Sequence, residues 1–265
     1  MELVPLASIV SLSTLGWCNP LRQGVGAVGM LFLKPEERIE MAREAGFLGA
    51  QMLPIRGATG EEPEAYLFEG PWNAVRGWWQ PLLRRLGESG EKCTWYDWLL
   101  FPNPKTCAKI VRTMERRGIP RIWHDPKSAP AGSLIEVCPE LDMTADAIAS
   151  MCEETGNRLV LDTRHLIRPR RGGGPNLLLK DNNWHYAVEQ WAPHTEVLHF
   201  NVIGEGNRDT TNEIARFVRN CAELAGHEKL TVVAEFMPTR QTMQSRSACE
   251  AEATVMLHRM MEHTC

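Results

Sequence analysis

The segment Leu-Val-Leu-Asp-Thr-Arg-His at residues 159–165 is a short apolar run that ends in ionisable side chains. Three more segments in the second half of the chain have the same form, and they are SLIEVCP at 133–139, EVLHFN at 196–201 and TVVAEFMP at 231–238. Nearly continuous apolar runs of this length are typical of parallel strands that are covered on both faces. The four segments therefore predict consecutive strands of an α/β protein.

Apolar runs without helical periodicity recur along the whole chain and alternate with amphipathic segments. They cover residues 3–10, 48–53, 92–98, 121–124, 133–137, 158–162, 196–200 and 230–236. Eight strands alternating with helices in 265 residues is the stoichiometry of a (β/α)8 TIM barrel, although a doubly wound open sheet has the same pattern. We expect a single TIM-barrel domain over residues 1–265. Its fourth βα unit is shortened, because the stretch DPKSAPAG between the fourth and fifth runs is too short for a crossover helix.

The composition excludes several classes of protein. Hydrophobic residues make up 43% and charged residues 23%, which is ordinary for a globular protein and excludes a disordered or collagen-like chain. The net charge of -4 disfavours a nucleic-acid partner, and no apolar segment is long enough for a membrane span. The eight cysteines form no CxxC pair, which is typical of reduced thiols. We therefore predict a cytoplasmic protein with no membrane partner.

Four successive strands carry an ionisable residue near their ends, namely Glu136, Asp162, His199 and Glu235. The intervals are 26, 37 and 36 residues, each about one strand-loop-helix unit, so the four side chains should meet at one end of the barrel. Taken singly, each has a structural explanation, such as an ion pair or a hydrogen-bonded core histidine. Together they indicate a bound divalent cation, and a set rich in oxygen ligands suits Mn²⁺, Mg²⁺ or Co²⁺ better than thiolate-bound zinc.

The chain resembles the xylose isomerase-like TIM-barrel superfamily in the phrases EAGFLGAQML, LIEVCPE, LVLDTRH, VLHFN and TVVAEF. This superfamily includes sugar isomerases and epimerases and endonuclease IV. The resemblance implies one divalent metal ion, Mn²⁺, Mg²⁺, Co²⁺ or Zn²⁺, bound by Glu136, Asp162, His199 and Glu235. It also implies that His165 contacts the substrate, and that Glu136 and Glu235 move a proton on and off a carbon beside a carbonyl.

The chain also departs from the pattern of that superfamily. Gln51 stands where a glutamate is common, and the segment CTWYDWLL at 93–100, the expected third strand, has no histidine. Arg208 is the nearest substitute for an arginine that sugar epimerases carry after the histidine of the seventh strand. These differences weaken the assignment of a specific sugar.

Two long insertions are expected on the catalytic face, at 57–90 with Trp72, Trp78 and Trp79, and at 164–184 with Arg168, Arg170 and Arg171. The arginines indicate a substrate with a phosphate or carboxylate group, or simply a solvated basic loop. The tryptophans suit a wall against a sugar ring, a dimer contact or packing on the barrel. The candidate substrate-binding residues are His165, His124, Arg208, Arg170 and Trp72.

The predicted function is that of a metal-dependent isomerase or epimerase, which acts on a sugar, sugar phosphate or keto acid through an enediolate. One alternative is an endonuclease IV-like phosphodiesterase, in which His124 would be an extra metal ligand. The other is a repurposed metal-binding barrel, either a lyase or dehydratase or a non-catalytic protein. The expected partner is a small-molecule substrate, and a homo-oligomer is compatible with the sequence.

Overall fold

The computed structural model describes residues 1–8, 35–54, 57–69, 104–138, 143–167, 184–202, 208–236 and 246–264. The strands are β1 (Glu2–Ser8), β2 (Gly49–Met52), β3 (Ala65–Glu69), β4 (Arg121–Trp123), β5 (Leu134–Val137), β6 (Arg158–Asp162), β7 (Thr195–Val202) and β8 (Lys229–Phe236). The helices are α1 (Pro35–Glu44), α2 (Pro104–Arg116), α3 (Ala145–Thr155), α4 (Thr163–Ile167), α5 (Trp184–Trp191), α6 (Arg208–Leu224) and α7 (Arg246–Thr264), with a 3₁₀ turn at Ala192–His194.

The eight strands form a closed parallel barrel. They pair in chain order, and β8 pairs with β1 through a register that sets Glu2 opposite Lys229. This closing pair excludes the doubly wound open sheet, which would leave two free edges. The chain is therefore a (β/α)8 TIM barrel, as the alternation of apolar runs predicted.

The third strand lies elsewhere than the sequence predicted. The expected strand at 92–98 lies outside the described residues, but the barrel closes without it, because Ala65–Glu69 pairs with both β2 and β4. The interpretation of 57–90 as one insertion is therefore wrong for residues 65–69. The strand was missed because it lies within a tryptophan-, glycine- and proline-containing segment that resembled an insertion, so the run at 92–98 was taken for the third strand.

Two connections in the first half of the barrel are short. Residues 124–133 join β4 to β5 without a helix, which confirms the shortened fourth βα unit. Residues 53–64 join β2 to β3, and their described part, all but 55–56, also contains no helix. The helical layer is consequently thinner on this side of the described barrel.

Apolar side chains fill the barrel and also surround it. The interior layer receives residues from every strand except β2, and consists of Val4, Leu6, Leu67, Ile122, Leu134, Val160, Val197 and Val233. The outer layer packs strand residues such as Ile135 and Leu161 against helix residues such as Trp191 and Met260. Burial of one such side chain contributes about 1.5–3 kcal/mol, so both layers stabilise the closed sheet.

Local signals set the ends of two helices. In α1, Pro35 occupies the first position and two glutamates follow it in the first turn, while Gly46 adopts a φ of 101° just after the end. In α3, the hydroxyl of Thr144 accepts a hydrogen bond of 3.2 Å from the amide of Ala147. The described helices include none with the length and apolar character needed to cross a membrane.

Candidate active site

The alternation of side chains along the strands brings polar groups to one end of the barrel. In four strands whose side chains are described at this point, an ionisable residue follows two positions after a residue of the interior apolar layer. The pairs are Leu67 and Glu69 in β3, Leu134 and Glu136 in β5, Val160 and Asp162 in β6, and Val197 and His199 in β7. Because side chains in a strand repeat with period two, the ionisable groups face the interior at the carboxyl ends of the strands, the end where TIM barrels carry their active sites.

Glu136, Asp162 and His165 form a first polar cluster. Helix α4 begins directly after Asp162, so His165 lies one turn further along, close to the end of the strand. Its Nε2 atom is 3.1 Å from Oε1 of Glu136 and 3.5 Å from Oδ2 of Asp162. One potential ligand atom from each of the three residues lies within 4.8 Å of the other two.

Glu69, His124 and Glu136 form a second cluster on the adjoining strands. His124 directly follows β4, and its Nε2 atom lies 3.0 Å from Oε1 of Glu69 and 2.8 Å from Oε2 of Glu136. The three potential ligand atoms again lie within 4.8 Å of one another. Glu136 therefore belongs to both clusters, with one carboxylate oxygen facing each histidine.

The histidines determine the protonation of Glu136. Burial by itself raises the pKa of this carboxyl, but the charge of His124 and the hydrogen bonds from His124 and His165 lower it well below its usual value. Burial also disfavours the charged form of His124, which lowers the pKa of this imidazole. The carboxylates of Glu136 and Glu69 outweigh the effect of burial and raise that pKa to about 10. Glu136 is therefore an ionised carboxylate, the form that can accept a proton or bind a cation.

Gln51 connects the second cluster to His199. This fully buried side chain of β2 has its Oε1 atom 2.9 Å from Nε2 of His199, across the barrel on β7. Its amide nitrogen is 3.5 Å from Oε2 of Glu69. The polar contacts consequently run without interruption from Asp162 to His199, by way of the residues His165, Glu136, His124, Glu69 and Gln51.

The structure brings five of the sequence-predicted site residues to this end of the barrel. Glu136, Asp162, His165 and His124 are in the clusters, and His199 is the register partner of Asp162.

The other predicted residues are only partly visible. Glu235 lies in β8 at the register position of Asn201, and Arg208 begins α6, but the side chains of both lie outside the described part of the structure. Arg170 and Trp72 lie outside the described residues altogether.

Two residues of the network were missed from the sequence. Glu69 ends the strand that was taken for part of an insertion, although a carboxylate that ends the run Ala-Tyr-Leu-Phe is the same signal that identified Asp162. Gln51 was noted only as a departure from a glutamate. Its contact with His199 joins residues 148 positions apart, and no local pattern reports such a contact.

The residues at this end of the barrel fit a divalent cation. In each cluster one imidazole nitrogen faces oxygens from two different carboxylates. The carboxylate oxygens of each cluster lie within 4.8 Å of one another, close enough to bind one cation, and the buried His199 is the register partner of Asp162 in the next strand. Carboxylates with imidazole form a set that suits Mn²⁺, Mg²⁺, Co²⁺ or Zn²⁺.

The fold and site together define a TIM barrel with a carboxylate-histidine centre at the carboxyl ends of its strands. No protein-family model matches the chain, and no curated protein sequence matches it. Among solved structures, the chain is similar to an L-ribulose 3-epimerase, with 14% identity, a TM-score of 0.45, and coverage of 100% of this chain and 95% of the other. It is also similar to a D-psicose 3-epimerase from Clostridium cellulolyticum H10, solved with D-tagatose, with 10% identity, a TM-score of 0.36, and coverage of 99% and 78%.

Proposed function

We propose that this barrel is a divalent-metal-dependent isomerase or epimerase, which moves a proton at a carbon beside a carbonyl in a sugar or related hydroxy-keto compound. The observation that carries this proposal is the buried carboxylate of Glu136. It is kept ionised between His124 and His165, and it lies beside Asp162 at the end of the barrel where a substrate enters.

The residues proposed to bind the cation are Glu136, Asp162, His199 and Glu235. The burial of the first three and the shared barrel end support this assignment. When bound, the cation would act as a Lewis acid that polarises the substrate carbonyl and neutralises negative charge on the substrate oxygens.

The protein side chains would supply the proton transfer. We propose that Glu136 removes a proton from the carbon next to the carbonyl, and that Glu235 returns a proton to it. His165 would donate a hydrogen bond to a substrate oxygen, since its ring lies against Glu136 and is partly exposed. His124 would keep Glu136 ionised and form part of the pocket wall. The apolar layer below would exclude water from that end of the site.

The proposal is tested by solvent exchange. The protein with Mn²⁺ is incubated in D₂O with a panel of free and phosphorylated ketoses, and deuterium incorporation at carbon is followed by NMR. We expect incorporation with at least one ketose. It should be lost in Glu136→Gln, which has the same shape but a far weaker base, and should persist in Glu115→Gln, a control at an exposed ion pair of α2. Exchange that Glu136→Gln leaves unchanged would contradict the proposal.

An anionic substrate is a finer part of the same proposal. The arginines of the segment 164–184 are the side chains that would bind a phosphate or carboxylate. Faster exchange with phosphorylated ketoses, reduced by Arg170→Ala, is the expected result. If the exchange rate depends neither on the phosphate nor on this substitution, the proposal of an anionic substrate is wrong.

A second candidate function, phosphodiester hydrolysis at a centre of several cations, is favoured by the cluster of Glu69, His124 and Glu136. This cluster adds a second place for a cation next to the first. The metal content of the purified protein distinguishes the two candidates. One ion per chain supports the isomerase or epimerase, whereas two or three ions, together with cleavage of abasic DNA, support the phosphodiesterase.

A further inference from the structure

We infer that Gln51 is a positioning residue that holds His199 in one tautomer, with the proton on Nε2 and the lone pair on Nδ1. Nδ1 is then the atom through which His199 binds a cation. The side chains of Gln51 and His199 are both buried inside the barrel, and the contact between Oε1 and Nε2 is 2.9 Å long. The part of this inference that concerns the cation rests on the proposed function.

The orientation of the Gln51 amide follows from its second neighbour. Glu69 faces His124 through Oε1 and Gln51 through Oε2. A carboxylate has only acceptor oxygens, so the amide must turn its NH₂ group towards Glu69. The amide oxygen then faces His199. The chemistry of the two partners thus fixes the oxygen and nitrogen positions of Gln51.

The amide oxygen in turn selects the tautomer of His199. An amide oxygen can only accept, so Nε2 of His199 is the donor and carries a proton. In a neutral imidazole the other nitrogen, Nδ1, then has the lone pair, and only a nitrogen with a lone pair can bind a metal ion. A partner that fixes the tautomer and plane of a ligand histidine also strengthens its binding to the metal. Glu69 therefore affects His199 through Gln51.

The identity of residue 51 is specific to this role. A glutamate at this position would also accept a hydrogen bond from Nε2, but it would set a second carboxylate beside Oε2 of Glu69, at the 3.5 Å contact that the amide now makes. Repulsion would push the two side chains apart and weaken the contact with Nε2 of His199. Glutamine provides the same acceptor without that charge.

The first test measures the tautomer in the metal-free wild-type protein. Long-range ¹H–¹⁵N NMR of the histidine rings separates protonated from unprotonated ring nitrogens, and a His199→Gln sample identifies the signals of His199. At mildly alkaline pH we expect Nε2 to be protonated and Nδ1 unprotonated. A majority of the opposite tautomer, or of the doubly protonated ring, would overturn the inference. The tautomer itself is measured in the wild-type protein.

The second test releases the two contacts one at a time. In Glu69→Gln the neighbour can donate as well as accept, so the Gln51 amide can rotate and the opposite tautomer of His199 should gain population. In Gln51→Met the contact is lost while the side-chain length is kept. We expect Gln51→Met to weaken the binding of Mn²⁺ about 10–100-fold by calorimetry. Gln190→Met, at an exposed position of α5, is the matched control and should bind Mn²⁺ as the wild type does.

The two tests separate this inference from the proposed function. If the wild-type protein binds no Mn²⁺, the proposed function fails, and the tautomer of the metal-free protein still decides the role of Gln51. If the wild type binds Mn²⁺ but Gln51→Met keeps both the tautomer and the affinity, the role of Gln51 is wrong and the proposed function stands.

Discussion

Single residues at the carboxyl end of the barrel balance one another's charges. Glu69 and Glu136 both face His124, and each of the three side chains is mostly buried. A buried carboxylate is strongly unfavourable without a compensating charge, so the barrel tolerates these groups only as a set. The same balance leaves Glu136 ionised and close to the region where substrate would bind.

Replacement of His124 should lower the stability of the protein, because Glu69 and Glu136 lose the positive charge that lies between them. His124→Leu leaves two buried carboxylates facing each other without a cation between them. We expect the free energy of unfolding of the metal-free protein to fall by about 3–5 kcal/mol, measured by urea denaturation. His258→Leu, at an exposed position of α7, should change it by less than about 0.5 kcal/mol. Equal stability of the two variants would show that the contacts of His124 contribute nothing to the fold.

The sequence identified the residues of this site unevenly. Glu136, Asp162 and His199 could be predicted because each interrupts an apolar strand, and a charge in such a place requires an explanation. Glu69 and Gln51 could not. Glu69 shares the pattern but lies in a strand that was not recognised, and a glutamine in an apolar run carries no charge that would draw attention. Their roles depend on which strands are neighbours across the barrel, and a linear pattern does not contain that information.

At the scale of elements, most strands of the barrel could be predicted from their apolar runs. Seven of the eight predicted runs overlap strands of the barrel, and the clipped connection after β4 was visible as a proline- and glycine-containing stretch. The eighth run, 92–98, lies outside the described residues, and β3 was not predicted because the tryptophan-rich chain that follows it resembled an insertion.

The cap of α3 offers a test of an element that the site does not touch. Thr144 accepts a hydrogen bond from the amide of Ala147, one of the amides that the first turn leaves without a helical partner. Thr144→Ala should lower the free energy of unfolding by about 1 kcal/mol, measured by the urea midpoint. Ser150→Ala, exposed in the middle of the same helix, is the control and should be neutral or slightly stabilising, because alanine is the better helix former. If the free energy of unfolding falls by the same amount in both variants, the hydrogen bond of Thr144 does not stabilise the helix.

At the scale of the whole molecule, the barrel interior contains an apolar layer and a polar layer. The apolar layer contributed by seven strands joins the sheet into one unit, and the layer at the carboxyl ends consists of charged and amide groups. The mild excess of acid in the composition thus includes buried carboxylates. A cation held by residues of β5, β6, β7 and β8 would link four strands that are far apart in the chain and stabilise the closed barrel as a whole.

This linkage predicts a metal-dependent melting temperature. A ligand that binds only the folded state at 100 times its Kd adds about 2.7 kcal/mol, which for a chain of this size corresponds to a rise of about 5–10 °C. We expect Mn²⁺ to produce such a rise in the wild type by differential scanning calorimetry, and its removal with EDTA to reverse it. Asp162→Asn should abolish most of the rise, because an amide replaces a ligand carboxylate. Asp146→Asn, which changes an exposed acceptor of the Tyr186 hydroxyl, should keep it. A rise of equal size in all three proteins would mean that Mn²⁺ stabilises the barrel from another site.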